Sequence, residues 1–192
     1  MKRARALRIL PLLGLAVLLA GALALGRGGS SDPTMGPGPV LAHEPVNVRF
    51  ALLSQSHSNR CNLAAAEMRA MPDTMRLRGA CCFPLDLNRY RQQLRELRPY
   101  RRTGLVPADP YDVSVALAKR LLFLRRVRLS ATEQGVYDRA GRMSSLGGPC
   151  CCRCWRWQAF KGQARFLIAR QNYSAARLSR LWKSEEGCGG SD

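Results

Sequence analysis

Apolar positions in this chain form one long uncharged run near the start, then a series of short helical faces. The run, Ile9 to Gly26, follows Lys2, Arg3, Arg5 and Arg8 and is closed by Arg27. As a helix it would rise about 27 Å, just short of a bilayer hydrocarbon core. The basic start places the N-terminus in the cytoplasm and the rest of the chain outside it. Ala20-Gly21-Ala22 and Ala22-Leu23-Ala24 both read as small-residue cleavage sites. Residues 1–26 are therefore expected to be a signal peptide or a signal anchor. Residues 27–45, punctuated by glycine and proline, read as a flexible linker, and residues 46–192 as one domain.

Within that domain, Val46-Asn47-Val48-Arg49-Phe50-Ala51-Leu52 alternates apolar and polar and predicts a short strand. Ser58 or Asn59 is placed to cap a helix running to about Met71, before Pro72. Leu87, Tyr90, Leu94 and Leu97 mark the apolar face of a second helix, begun near Pro84 and Asp86 and stopped by Pro99. Asp109-Pro110 opens a third, with Tyr111, Val115, Ala118 and Leu122 on one side. Ser130-Ala131-Thr132-Glu133 is a capping box for a fourth, which Gly147-Gly148 ends. Pro149 restarts a helix that Gly162 is placed to kink, and Ser174 caps the last, carrying Leu178, Leu181 and Trp182. The expected fold class is mainly α: a compact bundle of five or six short helices after an N-terminal hydrophobic export or anchor segment.

Charge changes the picture modestly. The net charge is +18, and beyond the five basic residues flanking the first apolar run, 26 basic and 13 acidic residues still leave +13. Such a surface favours anionic head groups, acidic polymers or nucleic acid. Export would place it where DNA is absent, so contact with a membrane, through the first segment and the basic surface, is the favoured partnership. A faint helix-turn-helix spacing over 163–182 does not outweigh that. The only histidines are His43 and His57, the acidic residues are scattered, and no phosphate loop or H-E-x-x-H pattern occurs. The domain is expected to be a binding protein more than an enzyme.

The concentrated chemistry is in the thiols. Four of the eight cysteines fall in Gly147-Gly148-Pro149-Cys150-Cys151-Cys152-Arg153-Cys154-Trp155-Arg156-Trp157. On helical spacing Cys150, Cys151 and Cys154 neighbour one another and Cys152 points elsewhere. Cys81-Cys82 precedes a helix start, where the partial positive charge of the helix end would favour thiolate. Cys188 sits among glycines with no packing to do, whereas Cys61, alone in an alanine-rich stretch, reads as a small buried apolar residue. The tryptophans read as core that shields the sulfurs. The run from about Ser56 to Gly190 resembles a group of uncharacterised prokaryotic exported proteins, through Gly79-Ala80-Cys81-Cys82, Leu87 to Arg91, Asp109-Pro110-Tyr111-Asp112, Gly147 to Trp157, and Gly187-Cys188-Gly189-Gly190. That resemblance implies no activity, but it implies that all the cysteines except Cys61 belong together.

Three chemistries compete for these sulfurs. The first is a soft-metal thiolate site for Zn or Cu(I), built from Cys81, Cys82, Cys150, Cys151, Cys154 and Cys188. The second is a disulfide framework in an oxidising compartment, serving an interaction protein. The third is thiol–disulfide exchange through the Cys151-x-x-Cys154 spacing, which lacks the βαβ context such enzymes use. The metal site is the favoured reading. It requires that sulfurs remote in sequence converge.

Overall fold

The computed structural model describes residues 41–190, so the expected signal segment and most of the linker lie outside the described residues. The described chain is mainly helical, with α1 (Val46–Ser54), α2 (Ala65–Ala70), α3 (Leu87–Leu97), α4 (Val115–Phe123), α5 (Ala131–Met143), α6 (Trp155–Gln171) and α7 (Ala175–Glu185). Two three-residue strands, β1 (Arg76–Arg78) and β2 (Asp112–Ser114), pair antiparallel with Leu77 opposite Val113. No described helix is long and apolar enough to cross a membrane.

Local capping signals predicted several helix starts correctly. Asp86 accepts the Arg89 N–H at 2.7 Å, Ser130 and Glu133 form the reciprocal box, and Ser174 accepts from Arg177. Each cap satisfies N–H groups that the first turn leaves without partners.

The differences arise where tertiary contacts override the local pattern. Val46–Leu52 is helical, not extended; Arg49 and Leu53, four residues apart, form its buried side. Arg49 meets the buried Asp109, which also accepts the Tyr90 hydroxyl. Ser58 and Asn59 cap nothing. The Ser58 hydroxyl donates to Arg76 O and accepts from Arg78 N, while Asn59 donates to Gly79 O. Asp109-Pro110 opens no helix, because Asp109 accepts the Tyr111 N–H in a turn and the chain then enters β2. There Asp112 takes Arg76 at 2.5 Å and Arg78 at 3.1 Å, fixing the ladder, and Ser114 caps α4.

Helix α6 lies at the centre. Trp155, Ala159 and Phe160 pack into a core with Ala118, Leu121 and Leu122 of α4 and with Cys150, Cys154 and Cys188. Helix α6 runs unbroken through Gly162, where the absence of a side chain lets the Leu121 carbonyl of α4 approach its backbone. Ala164 and Ile168 meet Ala140 of α5 and Leu178 and Trp182 of α7. Leu97 of α3 shares a further cluster with Leu167 and Leu181.

One carboxyl inside this core links folding to pH. Glu185 is fully buried and accepts from Gln163 Nε2 at 2.8 Å. Burial pushes it up from an ordinary 4.5 to about 8, against the opposing effects of the Gln163 hydrogen bond and the Arg156 charge. The folded protein therefore keeps a proton that the unfolded chain releases above pH 4.5. The stability contributed is complete below that pH and is lost as pH rises through 8. The slope for one group reaches at most about 1.4 kcal/mol per pH unit. Glu185→Gln is expected to flatten the decline in urea-unfolding free energy between pH 5 and 8, and an unchanged slope would show that the proton resides elsewhere.

Candidate metal centre

Four separate segments deliver the sulfurs. Cys61 stands in the loop between α1 and α2, which is tied to α6 by Trp155 N donating to Leu63 O at 3.0 Å and Trp155 Nε1 donating to Asn59 Oδ1 at 3.2 Å. Cys81 and Cys82 lie in the turn after β1, and Cys150 to Cys154 in the irregular approach to α6. Cys188 follows α7. Its strand is stitched to the Cys81–Cys82 turn: Cys81 N donates to Gly187 O at 2.9 Å, and Cys82 N and Phe83 N donate to Cys188 O at 3.1 and 2.8 Å. Gly190 N then donates to Pro84 O at 2.8 Å.

The sulfurs meet. Cys61 lies 2.6 Å from Cys82, Cys81 3.4 Å from Cys82, and Cys82 3.3 Å from Cys151. Cys188 lies 2.8 Å from Cys151 and 3.6 Å from Cys150, which is 3.9 Å from Cys152. All eight cysteines are free thiols, since every separation exceeds the roughly 2.05 Å of a disulfide. Among the described residues four groups have their sulfurs all within 4.8 Å of one another: Cys61-Cys81-Cys82-Cys152, Cys81-Cys150-Cys188, Cys82-Cys151-Cys188 and Cys150-Cys151-Cys152.

Two expectations about membership are corrected. Cys61 is not an isolated apolar residue but a member of the first group. Cys152 does not point away. Helix α6 begins only at Trp155, with Cys154 as its N-cap, so helical phase does not govern residues 150–153. Cys154 stands at the margin, interacting with Cys150 and Cys152 as a hydrogen-bonding thiol and lying outside the four groups. The signal for Cys152 was present in the sequence: three consecutive cysteines after Gly-Gly-Pro can share a centre only if the backbone is not helical. For Cys61 there was no local signal. His57 is exposed beside Cys81 and Cys82, and no histidine or carboxylate joins the groups.

The electrostatics are those of thiols sharing protons. Hydrogen bonding from Cys154 lowers Cys150 to about 6, and hydrogen bonding from Cys150 lowers Cys188 to about 5. Cys81 is raised by its bonds to Cys150 and Cys188, and Cys82 and Cys151 are raised by burial. The expected thiolate preference of Cys81-Cys82 at a helix start is not seen, because α3 begins only at Leu87 and both thiols are raised, Cys81 by its sulfur neighbours and Cys82 by burial. Arg156 is buried under the cluster. Its guanidinium donates to Glu185 O and Pro110 O at 3.0 and 2.6 Å and acts electrostatically on Cys81. A side chain at Gly187 would fall 2.5 Å from Arg156 Cζ, so that glycine admits the cation beneath the Cys188 strand.

Such an arrangement suits an electrophile that replaces protons on several sulfurs at once, which is what a thiophilic metal ion does. Cys82 and Cys151 are exposed and give an ion access, whereas Cys150, Cys154 and Cys188 are buried. No protein-family model, no curated protein and no solved structure matches this chain.

Proposed function

We propose that this protein binds a soft metal ion, Zn or Cu(I), through its clustered thiolates, as a binding protein and not as an enzyme. One observation carries the reading: sulfurs from four segments fall into overlapping groups within 4.8 Å, and those sharing a group are up to 107 positions apart, as Cys81 and Cys188 are. A buried concentration of thiols has no packing advantage over alanine or valine, whereas soft ligands at this density match Cu(I) or Zn. In this reading the N-terminal apolar segment directs the domain outside the cytoplasm, and the basic surface faces anionic lipid head groups.

Disulfide formation is the second reading, favoured by the Cys61–Cys82 and Cys151–Cys188 separations of 2.6 and 2.8 Å. Exchange catalysis through Cys151 and Cys154 has less support, because Cys154 is buried and Cys151 faces Cys188 and Cys82 instead. Elemental analysis combined with thiol titration separates these. Protein purified from its native compartment is expected to carry Zn or Cu and to yield eight free thiols once metal is stripped. Metal-free protein with four disulfides by mass would reject the proposal.

A further inference from the structure

The four sulfur groups are not independent. Leaving Cys61 aside, six sulfurs make up four triads, and each sulfur belongs to two of them. Cys81 joins the first triad to the second, Cys82 the first to the third, and Cys152 the first to the fourth. Cys188 joins the second to the third, Cys150 the second to the fourth, and Cys151 the third to the fourth. Any two triads therefore share one sulfur. This is the connectivity of an octahedron of sulfurs with four alternate faces marked, the faces meeting only at corners.

On this geometry, and resting on the metal-binding reading above, we infer that the site is a tetranuclear Cu(I) cage, with one ion on each triad and six bridging thiolates. Three sulfurs around one ion at about 2.3 Å, the zinc–thiolate length, stand about 4 Å apart. The separations of 3.3 to 3.9 Å for Cys81–Cys82, Cys82–Cys151, Cys150–Cys188 and Cys150–Cys152 need only a small expansion, Cys151–Cys188 must open furthest, from 2.8 Å, and the other pairs within each triad lie within 4.8 Å. A d¹⁰ Cu(I) ion accepts three sulfurs in a plane. Zinc in thiolate sites takes four, and only the triad joined by Cys61 offers a fourth. A single ion at the centre of the octahedron would face six sulfurs, more than either metal takes from thiolates. An iron–sulfide cube would hold its cysteine sulfurs farther apart than these.

The balance is simple. Four Cu(I) ions and six thiolates give a cage of charge −2, the protons of those thiols not already ionised pass to solvent, and no electrons move. Arg156, buried beside Gly187 and acting electrostatically on Cys81, offsets part of that charge.

The test is an anaerobic titration of the reduced full chain with Cu(I) buffered by bicinchoninate, followed by X-ray absorption. Four copper per chain, taken up without a plateau at one, with three-sulfur coordination, short copper–copper vectors and luminescence, is the expected result. A plateau at one or two copper with no copper–copper vector overturns the cage but leaves metal binding standing. Failure to retain copper overturns the cage, and failure to retain Zn in a parallel titration as well overturns the metal-binding reading. Two variants sharpen the assignment, with circular dichroism as the check that each folds. Cys151→Ser, at an exposed position, removes a corner shared by two triads and is expected to reduce the stoichiometry from four to two. Cys154→Ser, outside the four groups, is expected to keep four. Equal losses in both folded variants would overturn the shared-corner arrangement.

Discussion

Gly189→Ala is expected to leave the helices folded and to weaken metal retention at least tenfold. Gly189 has φ of +78°, where an alanine costs about 1–2 kcal/mol, and its Cβ would press on the Phe83 carbonyl and lie 2.9 Å from Ala80 Cβ. Those atoms belong to the turn that holds Cys81 and Cys82 and that receives the Cys188 strand through three backbone hydrogen bonds. Relieving the clash peels the tail away and removes the Cys188 sulfur from two triads at once. Gly190→Ala is the matched control. It has a similar φ of +83°, yet its Cβ would meet nothing closer than 3.7 Å. Circular dichroism tests the fold and competition with a chelator tests the site. Full retention of metal by Gly189→Ala would show that the tail contributes nothing to binding.

The second large effect concerns stability. Gly162→Ala would drive a methyl group into the Leu121 carbonyl and to within 2.9 Å of Arg125 N, both backbone atoms that cannot rotate away. The crossing of α4 and α6 must open, and overpacking of this kind costs about 3 kcal/mol. For a domain of this size that corresponds to a fall of about 6–12 °C in Tm. Gly135→Ala, inside α5 with no atom within 4 Å of its Cβ, is expected to move Tm slightly upward, by the roughly 0.5–1 kcal/mol that alanine gains over glycine in a helix. Thermal denaturation of the metal-free, reduced protein separates the two. Equal shifts would mean that α4 and α6 do not cross at Gly162.

The residues read correctly from sequence are those whose partners lie within one helical turn. Asp86 finds the Arg89 N–H, Ser130 finds Glu133, and Ser174 finds Arg177, whatever the remainder of the chain does. Val46–Leu52 was misread because seven residues of alternation fit a strand and a partly buried helix equally. Arg49 reaching Asp109, 60 positions away, lies on the buried side of the helix. Asp109-Pro110 was misread for a similar reason. A capping side chain and a turn side chain make the same hydrogen bond to a nearby N–H, and only the pairing of Asp112 with Arg76 and Arg78 selects the strand.

The site divides along the same line. Composition and spacing alone determined that this chain carries more thiol than packing requires, that it is mainly helical, and that Cys81, Cys82, Cys150, Cys151, Cys154 and Cys188 are candidates to act together. Only the tertiary structure decided that Cys61 joins them, that Cys152 faces them against the phase of a helix, and that Cys154 stays at the edge. The physical reason is range. A cap is settled by a hydrogen bond across three residues, while the meeting of seven sulfurs depends on a glycine-permitted helix crossing, a buried arginine and a tail stitched to a distant turn.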